Sequence, residues 1–154
     1  MPTPAGSVFV DTNVLLYSVD PRDSTKQARA CAWLDYLWRY SKGRLSWQVL
    51  HEFYANAVRK TGVPAVQARQ IVTVFTRWTP SGVDAPLIDR SWYWMDNAQR
   101  SYWDSLILAS AERLGCAVLL TEAFQADRQY GSVRVVDPFG TEPPTSPTQT
   151  AKPS

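Results

Sequence analysis

The chain has 154 residues, 45% of them hydrophobic and 19% charged, with a net charge of +2, one histidine and two cysteines. That length suits one domain with a real core, and the balance excludes a disordered chain. No apolar run is long enough to cross a bilayer, and a lone His51 with no Cys-x-x-Cys spacing argues against Cys/His zinc sites and against a Ser-His-Asp or Cys-His nucleophile.

Met1 to Gly6 carries neither the basic start nor the apolar stretch of a signal peptide, so the expected compartment is the cytoplasm. Ser7 to Val10 is a short β-rich run that stops at Asp11, the pattern of a buried strand. Asp11-Thr12-Asn13 opens a short helix over Val14 to Tyr17. Asp20 to Ser24 is loop chemistry, with Ser24 the expected N-cap of a helix from Thr25 to Tyr40. Ala30, Trp33, Leu34, Leu37 and Trp38 recur there at helical spacing. Arg44 to Trp47 reads as a second short strand.

Gln48 to Lys60 is the cleanest amphipathic helix, with Val49, Leu50, Phe53, Tyr54, Ala57 and Val58 on one stripe. Glu52 and Asn56 lie off that stripe, one turn apart. Pro64 starts a helix expected to reach Trp78, and another covers Ala85 to Gln99. Asp104 introduces Ser105 to Leu114, apolar almost all round and so buried, with Gly115 as its C-cap. Ala117 to Leu120 and Ser132 to Val136 read as strands. Strands alternating with helices predict an α/β fold with a mostly parallel sheet. The folded domain is expected over residues 1–139. From Gly140 to Ser154, Pro, Thr and Ser dominate, which predicts a disordered tail.

Chemistry concentrates in the acids. Asp11 ends an apolar strand, and ligands of parallel sheets bind beyond the carboxyl ends of strands. Asp104 starts a buried helix, and Glu52 faces away from its helix's core stripe. Carboxylates converging on one point repel one another unless a cation joins them, and hard oxygen donors suit Mg²⁺ or Mn²⁺. Each acid also has an ordinary explanation: Asp11 and Asp104 are good helix N-caps, and Glu52 alone is a solvated helix residue. Both cysteines read as small buried hydrophobes. The seven Trp and seven Tyr read mainly as core or helix–helix interface, with base stacking the minority use.

Val8 to Tyr17 resembles the opening of a PIN domain, a nuclease fold. Tyr102 to Ala111 resembles that family's third-acid helix, and Leu119 to Glu122 with Val133 to Phe139 resemble its closing strands. The likeness spans Val8 to Phe139, four motifs in the right order, and the short single-domain form is most similar to VapC-type toxins of bacterial toxin–antitoxin pairs. By position, the resemblance makes Asp11, Glu52 and Asp104 the first, second and third acids. Thr12 and Asn13 become supports of the first acid or phosphate contacts, and Thr121 a hydroxyl lining the site. It implies RNA cleavage with Mg²⁺ or Mn²⁺, a homodimer, and inhibition by a small antitoxin protein.

One position departs from the pattern. After Thr121-Glu122, similar proteins carry Asp or Asn, whereas this chain has Ala123, which can neither ligate metal nor orient water. Glu122 and Asp127 are the nearest substitutes, and neither is at the matching position. The function the resemblance implies is a metal-dependent endoribonuclease toxin, its site weakened or inactivated by Ala123 at the fourth acidic position, with Arg22, Lys26 and Arg128 as candidates for gripping the RNA backbone. The rival is a catalytically dead module that binds RNA or a protein. A phosphohydrolase using Asp11 as nucleophile is disfavoured, because the Asp-x-Asp arrangement is broken by Asn13.

Overall fold

The structure, a computed structural model, describes residues 6–147. Its elements in chain order are β1 (Val8–Val10), α1 (Thr12–Ser18), α2 (Ser24–Arg39), β2 (Gly43–Arg44), α3 (Trp47–Thr61), α4 (Ala65–Phe75), a 3₁₀ turn (Thr76–Trp78), α5 (Ala85–Ala98), α6 (Tyr102–Arg113), β3 (Val118–Leu120), β4 (Gln129–Tyr130) and β5 (Val133–Val136). Five strands form one sheet in the order β2-β1-β3-β5-β4. All pairings are parallel except β4 with β5. This is the predicted α/β architecture.

The strand order decides where ligands can reach the sheet. From β1 the chain crosses to β2 on one side and later to β3 on the other, so the winding reverses at β1. A crevice opens beyond the carboxyl ends of strands at such a reversal. The register aligns Val10 with Leu120, and Leu120 with Val136. Asp11 and Thr121 therefore leave the sheet at the same edge, and the ladder continues one step past the strands: Asp11 N–H donates to the Leu120 carbonyl at 3.1 Å and Thr121 N–H to that of Val136 at 3.0 Å.

The strands are short but covered. Phe9, Val10, Leu119, Leu120, Val133, Val135 and Val136 are all inaccessible. Burial of both sheet faces explains why these runs read as continuous apolar segments without alternation. Helix α1 packs on α2 and α3, and α5 packs on α6. The core stripe of α3 (Val49, Leu50, Phe53, Ala57) is buried as its periodicity predicts. Tyr54 and Val58, placed on that stripe in the sequence reading, are exposed; they lie on the edge facing away from the sheet. Gly62 ends α3 with φ +78°, the left-handed conformation that lacks a Cβ penalty only in glycine.

Several boundaries differ from expectation for local reasons. The N-cap of α2 is Asp23, whose carboxylate accepts from Lys26 N–H, rather than Ser24. β2 ends at Arg44 because Ser46 turns to cap α3, its hydroxyl accepting from Val49 N–H. The helix from Pro64 tightens into a 3₁₀ turn at Thr76. Strand β4 is two residues long, too short for any periodicity in the sequence to mark it. Of the segment expected to be a tail, Gly140 to Pro147 is described and lies against α2, where Trp33 Nε1 donates to the Thr141 carbonyl at 2.9 Å. Residues 148–154 lie outside the described residues. No helix among the described residues is long and apolar enough to cross a membrane.

Candidate active site

Asp11 anchors the crevice. It is 6% exposed, and it is the N-cap of α1, with Oδ1 accepting from Thr12 N–H at 2.7 Å. Its other oxygen accepts from the Thr121 hydroxyl at 2.9 Å, with Asn13 Nδ2 at 3.5 Å. Capping and a role in the crevice are thus compatible, because a cap uses one oxygen and leaves the second for the site. Burial pushes the Asp11 carboxyl from 3.8 up to about 6; the donors from Thr12 and Thr121 oppose that rise, and the charges of Glu52 and Asp104 add to it.

Glu52 reaches the same place from α3. Its Oε2 accepts from the Thr12 hydroxyl at 2.7 Å and its Oε1 from Gln48 Nε2 at 2.9 Å. Thr12 therefore ties the first two acids together, through its amide to Asp11 and its hydroxyl to Glu52. Asp104 comes from the first turn of α6. The N-cap there is Ser101, whose hydroxyl accepts from Asp104 N–H at 3.1 Å. The capping explanation for Asp104 is thereby removed, and its carboxylate is left for other partners. Burial raises its pKa first; Arg100, at 3.3 Å, pulls it back and Glu52 adds to the rise.

Thr121 organises the floor. It is inaccessible; its hydroxyl donates to Asp11 and accepts from Asn13 Nδ2 at 2.9 Å and from Ala123 N–H at 3.0 Å. Asn13 in turn accepts from Glu122 N–H at 3.3 Å. Neither candidate replacement for the missing acid is placed as one. The Glu122 carboxylate pairs with Lys26 at 2.8 Å, and Asp127 lies near Arg134 at 3.6 Å.

Asp11 and Asp104 are both raised by burial and, to a smaller degree, by the charge of Glu52, and clustered carboxylates of this kind are the donor chemistry a hard divalent cation stabilises. The kind of donor fits. Their spacing is open: among the described residues, no three His, Cys, Asp or Glu side chains form a group that could hold a metal ion as they stand. Gln48, which also donates to the Trp103 carbonyl at 3.1 Å, and Arg100 were missed in the sequence reading. Their spacings, i to i+4 from Glu52 and from Asp104, were the available signal.

The surroundings divide by chemistry. A cavity of about 240 Å³ beside Asn13 is lined by Tyr17, Asp20, Arg22, Lys60 and Glu122. Arg22 there is held two-pronged by Asp20 at 2.9 Å on each arm. Lys26 sits over the Tyr17 and Phe139 rings. Arg128 lies over Tyr130 instead. On the other flank, Trp47, His51, Val83, Trp103 and Leu106 join Gln48 and Glu52 around an apolar cavity of about 510 Å³. His51 lies beside Trp47, the rings tilted by 39° with centroids 6.3 Å apart. Cys116 is buried as expected, which pushes its thiol up to about 12, whereas Cys31, expected to be buried, is exposed on the outer side of α2, where partial desolvation of the thiol still raises it. Neither thiol is activated as a nucleophile.

The family model of the PIN domain matches residues 8–128. No curated protein matches the chain. Among solved structures, the chain is similar to VapC20 of Mycobacterium tuberculosis, described as a sarcin-ricin-loop-cleaving toxin, at 24% identity and TM-score 0.55, covering 79% of this chain and 92% of that one. It is also similar to VapBC2 of Rickettsia felis, solved bound to a DNA fragment from its promoter, at 12% identity and TM-score 0.54, covering 83% and 96%. At these identities the likeness establishes the fold.

Proposed function

Because the chain belongs to the PIN-domain family, we propose that it is a divalent-metal-dependent endoribonuclease, the toxin of a toxin–antitoxin pair acting in the cytoplasm. The observation that carries this reading is the hydrogen-bonded unit at the end of β1: Thr12 and Thr121 hold Asp11 and Glu52 at the crevice where the winding reverses. Asp11, Glu52 and Asp104 would hold Mg²⁺ or Mn²⁺. Such an ion, when bound, stabilises charge on the phosphoryl oxygens and lowers the pKa of a water.

The chain's own contributions follow from its geometry. Thr12, Thr121 and Gln48 orient carboxylate oxygens before substrate arrives, so little reorganisation is needed during reaction. The RNA backbone runs past Asn13 into the cavity lined by Arg22 and Lys60, with Lys26 at its edge. These cations match phosphates at little desolvation cost because they remain partly wet. Attack on phosphorus is by water rather than by a side chain, in keeping with thiols pushed up by burial.

The exposed residues Trp47, Tyr54 and Val58 on α3, with Trp103 and Val83 nearby, form the surface we assign to a second copy of the chain or to the antitoxin. The rival reading, an inactive RNA- or protein-binding module, draws on two contacts: Arg100 on Asp104 and Lys26 on Glu122 each neutralise an acid near the crevice. Cleavage of a broad pool of cellular RNA decides between them. We expect fragments with Mn²⁺ or Mg²⁺, none with EDTA, and none from Asp104→Asn. RNA binding without cleavage under every metal condition would leave the binding module.

A further inference from the structure

One cavity has no part in that scheme. Its volume is about 550 Å³, within the range of small-molecule sites, and it lies at the amino ends of the strands, the edge opposite the acids. Gly43 and Arg44 of β2 line it, with Trp38 and Ser41 just before them. Gly43 is in register with Val8, the first residue of β1, whereas Asp11 follows the last. Leu114, also in the wall, caps the far end of α6 from Asp104, about 15 Å along the helix.

Close packing builds the walls. The Trp78 ring lies on Gly43, where a Cβ would come within 2.2 Å of it. Only glycine admits that approach, and it brings Arg77 to the cavity that Arg44 lines. Arg44 spends only Nη1 on the chain, donating to the Ser41 carbonyl at 3.2 Å and to that of Gly43 at 2.8 Å. The Arg77 side chain makes no hydrogen bond or ion pair among the described residues. No carboxylate lines the cavity. Two guanidiniums that converge without an acid repel each other unless an anion joins them. Trp38 and Trp78 meet at 47°, and Phe75 meets Trp78 edge-on at 88°, so neither ring lies flat on Trp78. Ser41 and Thr79, also in the wall, both have φ of 54°. That conformation is costly for a β-branched residue such as Thr79, and strain of this kind gathers at ligand sites.

We propose that this cavity binds a nucleotide, with the phosphate on Arg44 and Arg77 and the base against Trp38 and Trp78. A guanidinium fork matches phosphate oxygens two at a time, and an indole face accepts any base. Ser41 and Thr79 add hydroxyls of the kind that bond ribose. The ligand is a free nucleotide or one unit of a single RNA strand, and the chemistry is the same for both. None of the residues placed in the acid crevice takes part, so the proposal stands apart from the nuclease reading.

Calorimetry on the full chain in EDTA tests this with adenosine 5′-monophosphate as the probe. One equivalent should bind. Adenosine and inorganic phosphate should each bind at least about tenfold more weakly, since each supplies half of the contact. Arg77→Gln, on an exposed 3₁₀ turn, and Arg44→Gln should each weaken the mononucleotide about tenfold. Lys60→Gln, in the cavity beside Asn13, should leave it unchanged. A short single-stranded oligoribonucleotide separates the two sources. Binding at least about tenfold tighter than the mononucleotide, and weakened by Arg77→Gln, assigns the site to a strand; equal or weaker binding assigns it to the free nucleotide. Failure of both probes to bind overturns the proposal. So does binding that Arg77→Gln leaves intact in a folded protein, binding lost on Lys60→Gln, or phosphate or adenosine alone binding as tightly as the nucleotide. If Arg44→Gln does not fold, Arg77→Gln alone decides. RNA cleavage with Mn²⁺ stands or falls by its own assay whichever result is found.

Discussion

Asp11→Asn should make the protein more stable at neutral pH while destroying its proposed activity. The carboxyl of Asp11 is raised from 3.8 to about 6, chiefly by burial. At about 1.36 kcal/mol per pH unit, a rise of roughly two units destabilises the folded, ionised state by about 3 kcal/mol. The sign follows from proton counting. Below 3.8 the carboxyl is protonated in both states and its full contribution is present. Between 3.8 and about 6 the folded state keeps a proton that the unfolded chain has released, so stability falls as pH rises. Above about 6 both are ionised and the loss is complete. Asparagine removes the charge but turns one NH₂ towards Thr121 Oγ1, which already accepts from Asn13 and Ala123. That mismatch offsets about 1 kcal/mol of the gain, leaving a net stabilisation of about 2 kcal/mol at pH 7.5. Urea unfolding of wild type and variant from pH 3.5 to 8, in EDTA, measures it. The difference between the two should grow across pH 4 to 6.5 and then level off. Adding Mn²⁺ at pH 7.5 should stabilise the wild type and leave the variant unchanged. A difference that is flat in pH would refute the claim that Asp11 is an ionisable group strained by burial.

Three other perturbations probe the frame around it. Thr121→Val keeps the shape and removes the hydroxyl shared by Asp11, Asn13 and Ala123; it should cost about 1–3 kcal/mol in urea unfolding and strongly reduce RNA cleavage, and an unaltered rate would show that Asp11 needs no positioning. Gly43→Ala would place a Cβ 2.2 Å from the Trp78 ring, which Phe75 and Trp38 hold in turn; a loss of about 1–3 kcal/mol with altered tryptophan fluorescence is expected, and unchanged melting would mean that the ring moves freely. Glu112→Gln loosens the carboxylate that accepts from Arg90 at 3.0 and 2.9 Å and from Trp94 Nε1 at 2.6 Å; being 16% exposed, it should lower stability by about 1–3 kcal/mol, read as a fall in Tm, without affecting Mn²⁺ binding.

Much of this was legible from sequence because the relevant forces are local. Continuous apolar runs at Val8–Val10 and Val118–Leu120 can only be satisfied inside a covered sheet. The stripe Val49, Leu50, Phe53 and Ala57 fixes which face of α3 meets the core and therefore leaves Glu52 off it. The motif order then indicates which acids to compare. Tertiary structure decided the rest. Whether Asp104 is a cap or a free carboxylate depends on Ser101, three residues earlier, folding over the helix start. That Thr12 joins Asp11 to Glu52 depends on α3 packing against α1, forty positions away in the chain. Glu122 loses its candidacy to Lys26, whose position on α2 no local pattern relates to the end of β3. Arg100 faces Asp104 and Ala123 together only because α6 begins beside the end of β3. A sequence specifies which side chains are turned inward, since periodicity and burial are properties of one segment. Which charges face one another is set by the order of strands in the sheet, and that order is fixed only when all the segments pack at once.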